Sequence, residues 1–256
     1  MRVQFENLTV EKQGKLARIT FHREARLNAF AYPGVRDLDA AAKLVADDTD
    51  LRVVALVGRG RAFSTGIDLK ELAAGNIDLR YFHAWDSAVR QFETMDKLAI
   101  CLMHGFAYGG GLQLGLACDL RIGTPRAKYA LPAVKEGLIP GLGTQRLARY
   151  IGLGRAKALS LWGDVMEGEE GLRTGLVDAL VSDDKAHEEF EPYIEKTLAM
   201  ASQGARYTKH CIAMMSDLDW QEAFDLYMDL QKKGLSSADF REAMDAYKAN
   251  RPPKWN

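Results

Sequence analysis

Two short apolar runs constrain the fold of this chain more than any other feature. "VVALV" and "LAICLM", at residues 53–57 and 98–103, contain no charged side chain, and each leads through a glycine-bearing loop into helical sequence. A strand that is apolar on both faces must be covered on both faces, which is typical of parallel sheets flanked by helices. We therefore predict an α/β fold in which right-handed crossovers connect neighbouring parallel strands.

The segments on either side of these runs extend the pattern. Two β-rich segments that meet at Gly14 predict an N-terminal hairpin, and an apolar stripe over residues 32–48 predicts a helix. From Gly143 onward the sequence is mostly helical in character. We predict an α/β core over residues 1–195 and a helical region over residues 196–256.

Composition excludes several classes of function. The 256 residues include 34 Lys and Arg against 35 Asp and Glu, a net charge of -1, which argues against a nucleic-acid partner. No apolar run is long enough for a signal peptide or a membrane span. The three cysteines have neither metal-ligand spacing nor a pairing pattern, which is typical of reduced thiols. We expect a cytoplasmic protein without a metal, a membrane or a nucleic-acid partner.

The glycines after the second apolar strand indicate what that strand end can bind. Gly109, Gly110 and Gly111 stand where strand sequence turns into helix sequence. The first N–H groups of a helix lack partners within the helix, and the helix dipole makes this end positive. Because glycine has no Cβ, a ligand can approach the backbone closely. Such a site suits either a phosphate or an oxyanion that forms during a reaction.

The phosphate alternatives lack their sequence motifs. Neither the P-loop pattern G-x-x-x-x-G-K-[ST] nor the dinucleotide pattern G-x-G-x-x-G occurs in the chain. A second glycine-bearing loop, "RAFSTGIDLKEL" at residues 61–72, follows the other apolar strand. Two parallel strands that end in such loops can direct two N–H donors at one point, which favours an oxyanion hole.

Three blocks of the sequence carry a family resemblance. "RAFSTGIDLKEL", "HGFAYGGGLQLGLACDLRI" and "YALPAVKEGLIPGLGTQRLARYIG" resemble, in order, conserved blocks of the crotonase (enoyl-CoA hydratase/isomerase) superfamily. The resemblance continues across nearly the whole chain. It implies the crotonase fold, in which repeated ββα units form a spiral core. It also implies C-terminal helices that mediate a homotrimer or a dimer of trimers.

The same resemblance implies a substrate and a site. The substrate would be an acyl-CoA thioester of the kind used in fatty acid metabolism, with coenzyme A as part of the substrate and no tightly bound cofactor. The oxyanion-hole N–H groups would belong to Ile67 and Gly110. The residues that correspond by position to the coenzyme A path are Ala25, Leu27, Thr65, Asp68 and Leu69.

The chain departs from the family pattern at its acid/base residues. Hydratases of the family hold a water between two glutamates, and the corresponding positions here are Gln113 and Ala133. A glutamine can orient a water or a carbonyl group but cannot exchange a proton near neutral pH. Glu136, three residues after Ala133, is the candidate replacement acid/base because one helical turn would bring it to a similar side. His83 and Trp85 fall in the segment that walls the acyl pocket in the family.

Two functional hypotheses follow from this pattern. The first is an enzyme that forms an oxyanion-stabilised enolate, for an isomerisation, a nonstandard hydration, a decarboxylation or a C–C bond hydrolysis. The alternative is a catalytically inert acyl-CoA-binding homologue that kept the fold and lost the chemistry. A crotonyl-CoA hydration assay would separate them.

Overall fold

The computed structural model describes residues 1–214 and 217–255. The strands in this part of the chain are β1 Arg2–Gln4, β2 Leu8–Gln13, β3 Leu16–Phe21, β4 Val53–Gly58, β5 Leu98–Met103, β6 Phe106–Tyr108, β7 Leu120–Gly123, β8 Lys128–Ala130, β9 Met166–Glu167 and β10 Ala179–Leu180. The α-helices are α1 Tyr32–Asp47, α2 Leu69–Ala73, α3 Leu79–Thr94, α4 Gly110–Ala117, α5 Gly143–Ile151, α6 Leu153–Trp162, α7 Gly168–Thr174, α8 Ala186–Met200, α9 Gln203–Met214, α10 Trp220–Leu235 and α11 Ala238–Lys248. Short 3₁₀ helices span Glu24–Arg26 and Pro132–Glu136.

The larger sheet has seven strands in the order β1-β2-β3-β4-β5-β7-β10. The first three strands pair antiparallel, and every pair from β3 to β10 is parallel. This arrangement confirms both the hairpin predicted around Gly14 and the parallel α/β core. Strand β1 adds a third antiparallel strand that the hairpin prediction did not include.

The central strand β4 contributes side chains to a hydrophobic core on each face of the sheet. All of its residues are buried. Val54 and Leu56 belong to the core cluster that also contains side chains of α1 and α3. Val53, Ala55 and Val57 belong to a second cluster that contains Phe190 and Ile194 of α8. Because successive side chains of a strand point to opposite faces, an uninterrupted apolar run supplies both cores at once.

A second sheet, with strand order β6-β8-β9, brings two loops together at the carboxyl ends of β4 and β5. Ser64, in the loop after β4, pairs with Ala107 of β6 in a parallel bridge. The Ser64 N–H donates to the carbonyl oxygen of Phe106 over 3.1 Å, and the Tyr108 N–H donates to the Ser64 carbonyl oxygen over 3.0 Å. The loop after β4 is therefore fixed against the segment that leads into α4.

The C-terminal helices are joined to the core by buried contacts of α9. The ammonium group of Lys209 donates to the carbonyl oxygens of Phe92 and Lys97 and pairs with Asp119 at 3.0 Å. The boundary predicted between residues 195 and 196 falls inside α8. The division into two regions stays a prediction, and residues 215, 216 and 256 of the helical region lie outside the described residues. Among the described helices, none has the length and apolar character needed to cross a bilayer.

Candidate active site

The loop that follows β4 meets the start of α4 backbone to backbone, at Gly66 and Gly110. Gly66 has a φ of +78°, and a Cβ built on it would overlap the amide nitrogen of Gly110 and lie 2.7 Å from the carbonyl oxygen of Tyr108. A Cβ on Gly110 would lie 2.8 Å from Cζ2 of Trp85. Side chains at these two positions would push the loops apart, so glycine is needed for this close approach.

The amide of Ile67 faces away from its neighbouring strand segment. Phe30 forms a parallel bridge with Ile67, in which the Phe30 N–H donates to Gly66 O at 2.6 Å and the Asp68 N–H donates to Phe30 O at 3.0 Å. The residue between the two bonded ones turns its own N–H and C=O groups to the opposite side. Within the described parts of the chain, the Ile67 N–H has no hydrogen-bond acceptor.

The amide of Gly110 is the first N–H of helix α4. Gly109 precedes it with a φ of 50°, and the Gly109 N–H donates to the carbonyl oxygen of Ala130 at 2.9 Å. Among the described residues, none accepts a hydrogen bond from Gly110 N–H, as expected for the start of a helix. Ile67 and Gly110 thus present unpaired amides on adjoining loops, and the positive end of the α4 dipole adds to them.

Ser64 holds the loop after β4 in place through its side-chain hydroxyl group. Its hydroxyl group is fully buried, donates to the carbonyl oxygen of Asn28 at 2.8 Å and accepts from the Gly66 N–H at 3.0 Å. This pair of bonds fixes the peptide unit between Thr65 and Gly66, one residue before Ile67. The position of one candidate donor is therefore set by buried hydrogen bonds rather than by a free loop.

A cleft of about 410 Å³ lies beside the two loops and collects most of the sequence-predicted site residues. Two others, Gly110 and Gln113, lie behind Gly109 in α4, and Ala25 is exposed on the 3₁₀ helix Glu24–Arg26, whose Arg26 borders the cleft. The predicted residues that line the cleft are Leu27, Thr65, Ile67, Asp68, Leu69, Ala133 and Glu136.

Asp68 has a buried carboxylate whose two oxygens are both engaged. Oδ1 accepts the backbone N–H of Lys70 at 3.0 Å and caps α2, and Oδ2 pairs with the Arg23 guanidinium at 2.7 Å. Burial acts to raise the pKa of Asp68, but the bonds from Arg23 and from the Lys70 backbone outweigh it and leave the pKa below its usual value. The carboxylate therefore holds the loop around Ile67 in place.

Gln113 occupies a buried position under the turn that precedes α5. Its side chain packs so closely there that a Cβ on Gly143 would lie 2.7 Å from its Cγ. Its Oε1 is buried and, within the described residues, receives no hydrogen bond. Gln113 therefore places a buried acceptor without a donor near the turn that precedes α5.

Ala133 and Glu136 lie on the same short 3₁₀ helix, Pro132–Glu136. Because this helix has three residues per turn, the two side chains point in similar directions, and both border the cleft. Ala133 is half-buried and Glu136 is exposed. The Glu136 carboxylate forms no ion pair or hydrogen bond with another described residue, and it is thus accessible from the cleft.

Helix α3 forms the wall behind Gly110. Trp85 is buried, with its ring centroid 5.1 Å from that of Phe30, and its Nε1–H has no acceptor among the described residues. His83, two residues earlier, is exposed. Asp86, directly after Trp85, was not singled out by the sequence pattern; its Oδ1 accepts from Arg146 Nη1 at 3.3 Å. Nothing in the sequence around Asp86 signals this, because its neighbours come from α4 and α5.

The comparisons with known proteins agree with this architecture. A family model described as Enoyl-CoA hydratase/isomerase matches residues 11–256. The chain belongs to the enoyl-CoA hydratase/isomerase family. Over 251 residues it is 31% identical to a short-chain-enoyl-CoA hydratase of Clostridium acetobutylicum, covering 96% of this chain and 95% of the relative. It is 32% identical over 251 residues to a crotonyl-CoA hydratase of Syntrophomonas wolfei, covering 95% of both.

Solved structures of the family show the same fold. The crystal structure of an enoyl-CoA hydratase from Bacillus anthracis matches with a TM-score of 0.90 at 28% identity, covering 98% of this chain and 99% of that one. The predicted crotonase fold with a C-terminal helical region is confirmed, as is the prediction of an enzyme of this family. Among the described residues, no cluster of His, Cys, Asp and Glu side chains could hold a metal ion.

Proposed function

We propose that this protein acts on an acyl-CoA thioester and stabilises an enolate with the amides of Ile67 and Gly110. The observation that carries the proposal is the pair of unpaired N–H groups on loops that touch at Gly66. As an α-proton leaves, negative charge moves onto the thioester oxygen, and two fixed N–H donors stabilise that charge more than they stabilise the neutral carbonyl. The names of the relatives, short-chain-enoyl-CoA hydratase and crotonyl-CoA hydratase, support the acyl-CoA class.

In this proposal the coenzyme A portion of the substrate follows the cleft next to the first loop. Leu27, Thr65 and Leu69 border the cleft, and Asp68 fixes the start of α2 through Arg23. Ala25 is exposed and precedes Arg26, which borders the cleft. Coenzyme A arrives with the substrate, and the reaction uses no separate cofactor.

The acid/base residues favour a reaction that differs from the usual hydration. With Gln113 and Ala133 at the two glutamate positions, no carboxylate pair can hold the attacking water there. A double-bond isomerisation needs only one group that removes a proton and returns it to another carbon. A nonstandard hydration, a decarboxylation or a C–C bond hydrolysis would use the same enolate. Glu136 is the carboxylate that borders the cleft at the second position.

The proposed assembly is a homotrimer or a dimer of trimers built through the C-terminal helices. Helix α10 carries an exposed apolar stripe with helical spacing, which a neighbouring copy would cover. Sedimentation velocity measures the assembly directly, and we expect Phe224→Asp to dissociate it. The residues of this stripe are Trp220, Phe224, Tyr227 and Met228.

Deuterium exchange tests the proposed chemistry without knowledge of the natural acyl group. The probe is 3-butenoyl-CoA in D₂O, because its α-protons are allylic as well as adjacent to the thioester and are therefore acidic. The proposal expects deuterium at the α-carbon and formation of crotonyl-CoA, measured by mass spectrometry and NMR. Tight binding of the thioester with neither change would contradict it.

The alternative function is a catalytically inert acyl-CoA-binding protein. The observation that favours it is that Gln113 and Ala133 carry no carboxylate at the positions that the family resemblance assigns to the two glutamates. In that case the purified protein binds acyl-CoA without exchange, and the double variant Gln113→Glu with Ala133→Glu gains crotonyl-CoA hydration. Exchange by the unmodified protein excludes this alternative.

A further inference from the structure

An aspartate and a glutamine border the same space at the end of the site away from the cleft. Gly141, in the turn before α5, has a φ of +51° and no side chain to fill this space. A Cβ built on Gly141 would lie 3.2 Å from Oε1 of Gln113 and 3.7 Å from Oδ2 of Asp86. The carboxylate from α3 and the amide from α4 therefore both border the place that a side chain at position 141 would occupy.

Both polar groups have unused hydrogen-bonding capacity. The Gln113 side chain is 6% exposed and its Oε1 receives no hydrogen bond from the described residues. A buried acceptor without a donor costs about 1–3 kcal/mol, which a bound ligand or water with a donor would recover. Oδ2 of Asp86 also lacks a partner within the described residues, and the Asp86 side chain is 28% exposed. This oxygen is thus free to accept a proton.

Arg146 has a better partner than Asp86, so pairing alone does not explain the aspartate. The buried Arg146 guanidinium meets Glu93 twice, with Nε–Oε1 at 2.6 Å and Nη2–Oε2 at 3.2 Å. Asp86 contributes only the longer Oδ1 contact of 3.3 Å. Two parallel bonds to one carboxylate satisfy the planar guanidinium. Arg146 consequently orients Asp86 and leaves its Oδ2 turned towards Gln113.

Helices α3 and α4 connect Asp86 and Gln113 to the candidate oxyanion donor Gly110. Gln113 follows Gly110 by three residues in α4, so the two share one face of that helix. Trp85, the residue before Asp86, rests against Gly110. Gln113 thus connects the Gly110 amide with the space that Asp86 Oδ2 borders.

We propose that Asp86 is the catalytic carboxylate that moves the substrate proton, with Gln113 as a positioning residue beside it. This inference rests on the proposed function above. Oδ2 of Asp86 takes a proton from the α-carbon, and the C–H electron pair moves into the enolate held at Ile67 and Gly110. The protonated Asp86, which is partly exposed, exchanges its proton with solvent and returns a proton to the α-carbon or to the γ-carbon. Return to the α-carbon accounts for deuterium exchange in D₂O, and return to the γ-carbon gives the conjugated 2-enoyl thioester. No oxidant or further reactant is needed.

Asp86→Asn is the direct test, because asparagine keeps an oxygen for Arg146 and removes only the proton-accepting charge. The assay is α-deuterium exchange of 3-butenoyl-CoA, together with acyl-CoA binding by calorimetry and thermal unfolding. We expect exchange to fall by at least about 10²-fold, as for loss of a general base, with binding changed less than about threefold. The matched control is Asp217→Asn. It alters the ion pair that Asp217 Oδ1 forms with Nη2 of Arg149 on α5, at 2.9 Å. It leaves exchange unchanged.

The outcomes separate this assignment from the proposed function. Exchange by the unmodified protein that survives Asp86→Asn overturns the role of Asp86 and leaves the proposed function standing. The same holds if Glu136→Gln abolishes exchange while Asp86→Asn does not. Absence of exchange in the unmodified protein overturns both. If Asp86→Asn fails to fold, Asp86→Glu is measured instead. If the exchange rate of Asp86→Glu and the pH dependence of that rate both equal those of the unmodified protein, the assignment is contradicted.

Discussion

Gly66 and Gly110 lie in contact although 44 residues of chain separate them. Gly66 lies in the loop after β4, and Gly110 begins α4 after β5 and the short strand β6. Strands β4 and β5 are adjacent and parallel. Parallel strands that are neighbours in a sheet end at the same edge, so the sheet places the two segments next to each other. The Ser64–Ala107 bridge then fixes the distance between them. The geometry of the candidate oxyanion hole is thus a consequence of strand order and of missing Cβ atoms.

A methyl group at Gly66 should therefore disrupt the site. We expect Gly66→Ala to lower exchange of 3-butenoyl-CoA by about 10²-fold, the usual cost of a displaced oxyanion donor. The physical reason is that the new Cβ would overlap the Gly110 amide and lie 2.7 Å from Tyr108 O. Steady-state exchange rates and thermal unfolding measure the two effects separately.

Gly75→Ala is the matched control for that variant. Gly75 has a similar φ of +77°, but a Cβ there would meet no atom within 4 Å. It carries the backbone strain of alanine at positive φ, on the order of 1 kcal/mol, and leaves activity unchanged. Equal loss of exchange in both alanine variants would mean that the loop contact has no part in catalysis.

Lys209 should be a stability residue and not a catalytic one. Removal of its ammonium group leaves Asp119, an acid whose pKa burial raises despite the opposing effect of Lys209, without its partner. We expect Lys209→Met to lower the free energy of unfolding by about 3 kcal/mol, as for a broken buried pair. Lys248→Met removes an exposed pair with Asp245 and should cost less than about 0.5 kcal/mol. Urea denaturation gives both values, and equal costs would contradict the prediction.

Acidification should destabilise the fold through His104. Burial lowers the pKa of His104, whose Nε2 lies 3.1 Å from Gly60 O, and burial also lowers that of His187, whose ring is 4.9 Å away. A folded-state pKa below the unfolded value of about 6.5 means that the unfolded chain binds protons first as pH falls. Stability is therefore lost below about pH 6.5, by at most about 1.4 kcal/mol per pH unit for each histidine.

His104→Asn should reduce this acid sensitivity. We expect the fall in melting temperature between pH 7 and pH 5 to be smaller in the variant than in the unmodified protein. His83→Asn changes an exposed imidazole of α3 and serves as the control. If the two variants keep the same pH dependence as the unmodified protein, burial of His104 does not control it.

Asp68 should act through structure, since both of its oxygens are already bonded. Asp68→Ala removes the cap of α2 and the partner of Arg23, and we expect a loss of about 1–2 kcal/mol. Asp68→Asn keeps the capping oxygen and should cost less. Because the folded pKa of Asp68 is lowered, its charge contributes stability above the unfolded pKa of about 3.9, and that contribution is lost as pH falls through the folded pKa. If the unmodified protein remains more stable than Asp68→Asn by the same amount below pH 2, this account is contradicted.

The parts of the fold that could be predicted from sequence are those whose secondary structure and burial follow from the residues of a single segment. The runs at 53–57 and 98–103 predicted buried parallel strands because an uninterrupted apolar stretch needs cover on both faces. Strand β9, Met166–Glu167, and strand β10, Ala179–Leu180, are each too short to produce a periodic pattern. Their formation depends on partner strands β8 and β7, which no local pattern reveals.

The candidate site likewise contains residues that the sequence could indicate and residues that it could not. The family resemblance of the two glycine-bearing blocks names Ile67 and Gly110 as oxyanion donors, and their roles stay predictions. Asp86 gave no signal, because its relation to Gln113 and Arg146 arises only where α3, α4 and α5 pack together. Glu136 was put forward from spacing alone, and its spacing from Ala133 fits the 3₁₀ helix that the two residues share.

The central claim is that two amides polarise one thioester carbonyl, and the vibration of that carbonyl tests it most directly. Isotope-edited difference infrared spectroscopy would record the C=O stretch of ¹³C-labelled butyryl-CoA, free in water and bound to the protein. The account predicts a lower frequency in the bound state than in water, and a return towards the value in water in Gly66→Ala. A bound carbonyl that absorbs at or above the frequency in water would contradict it.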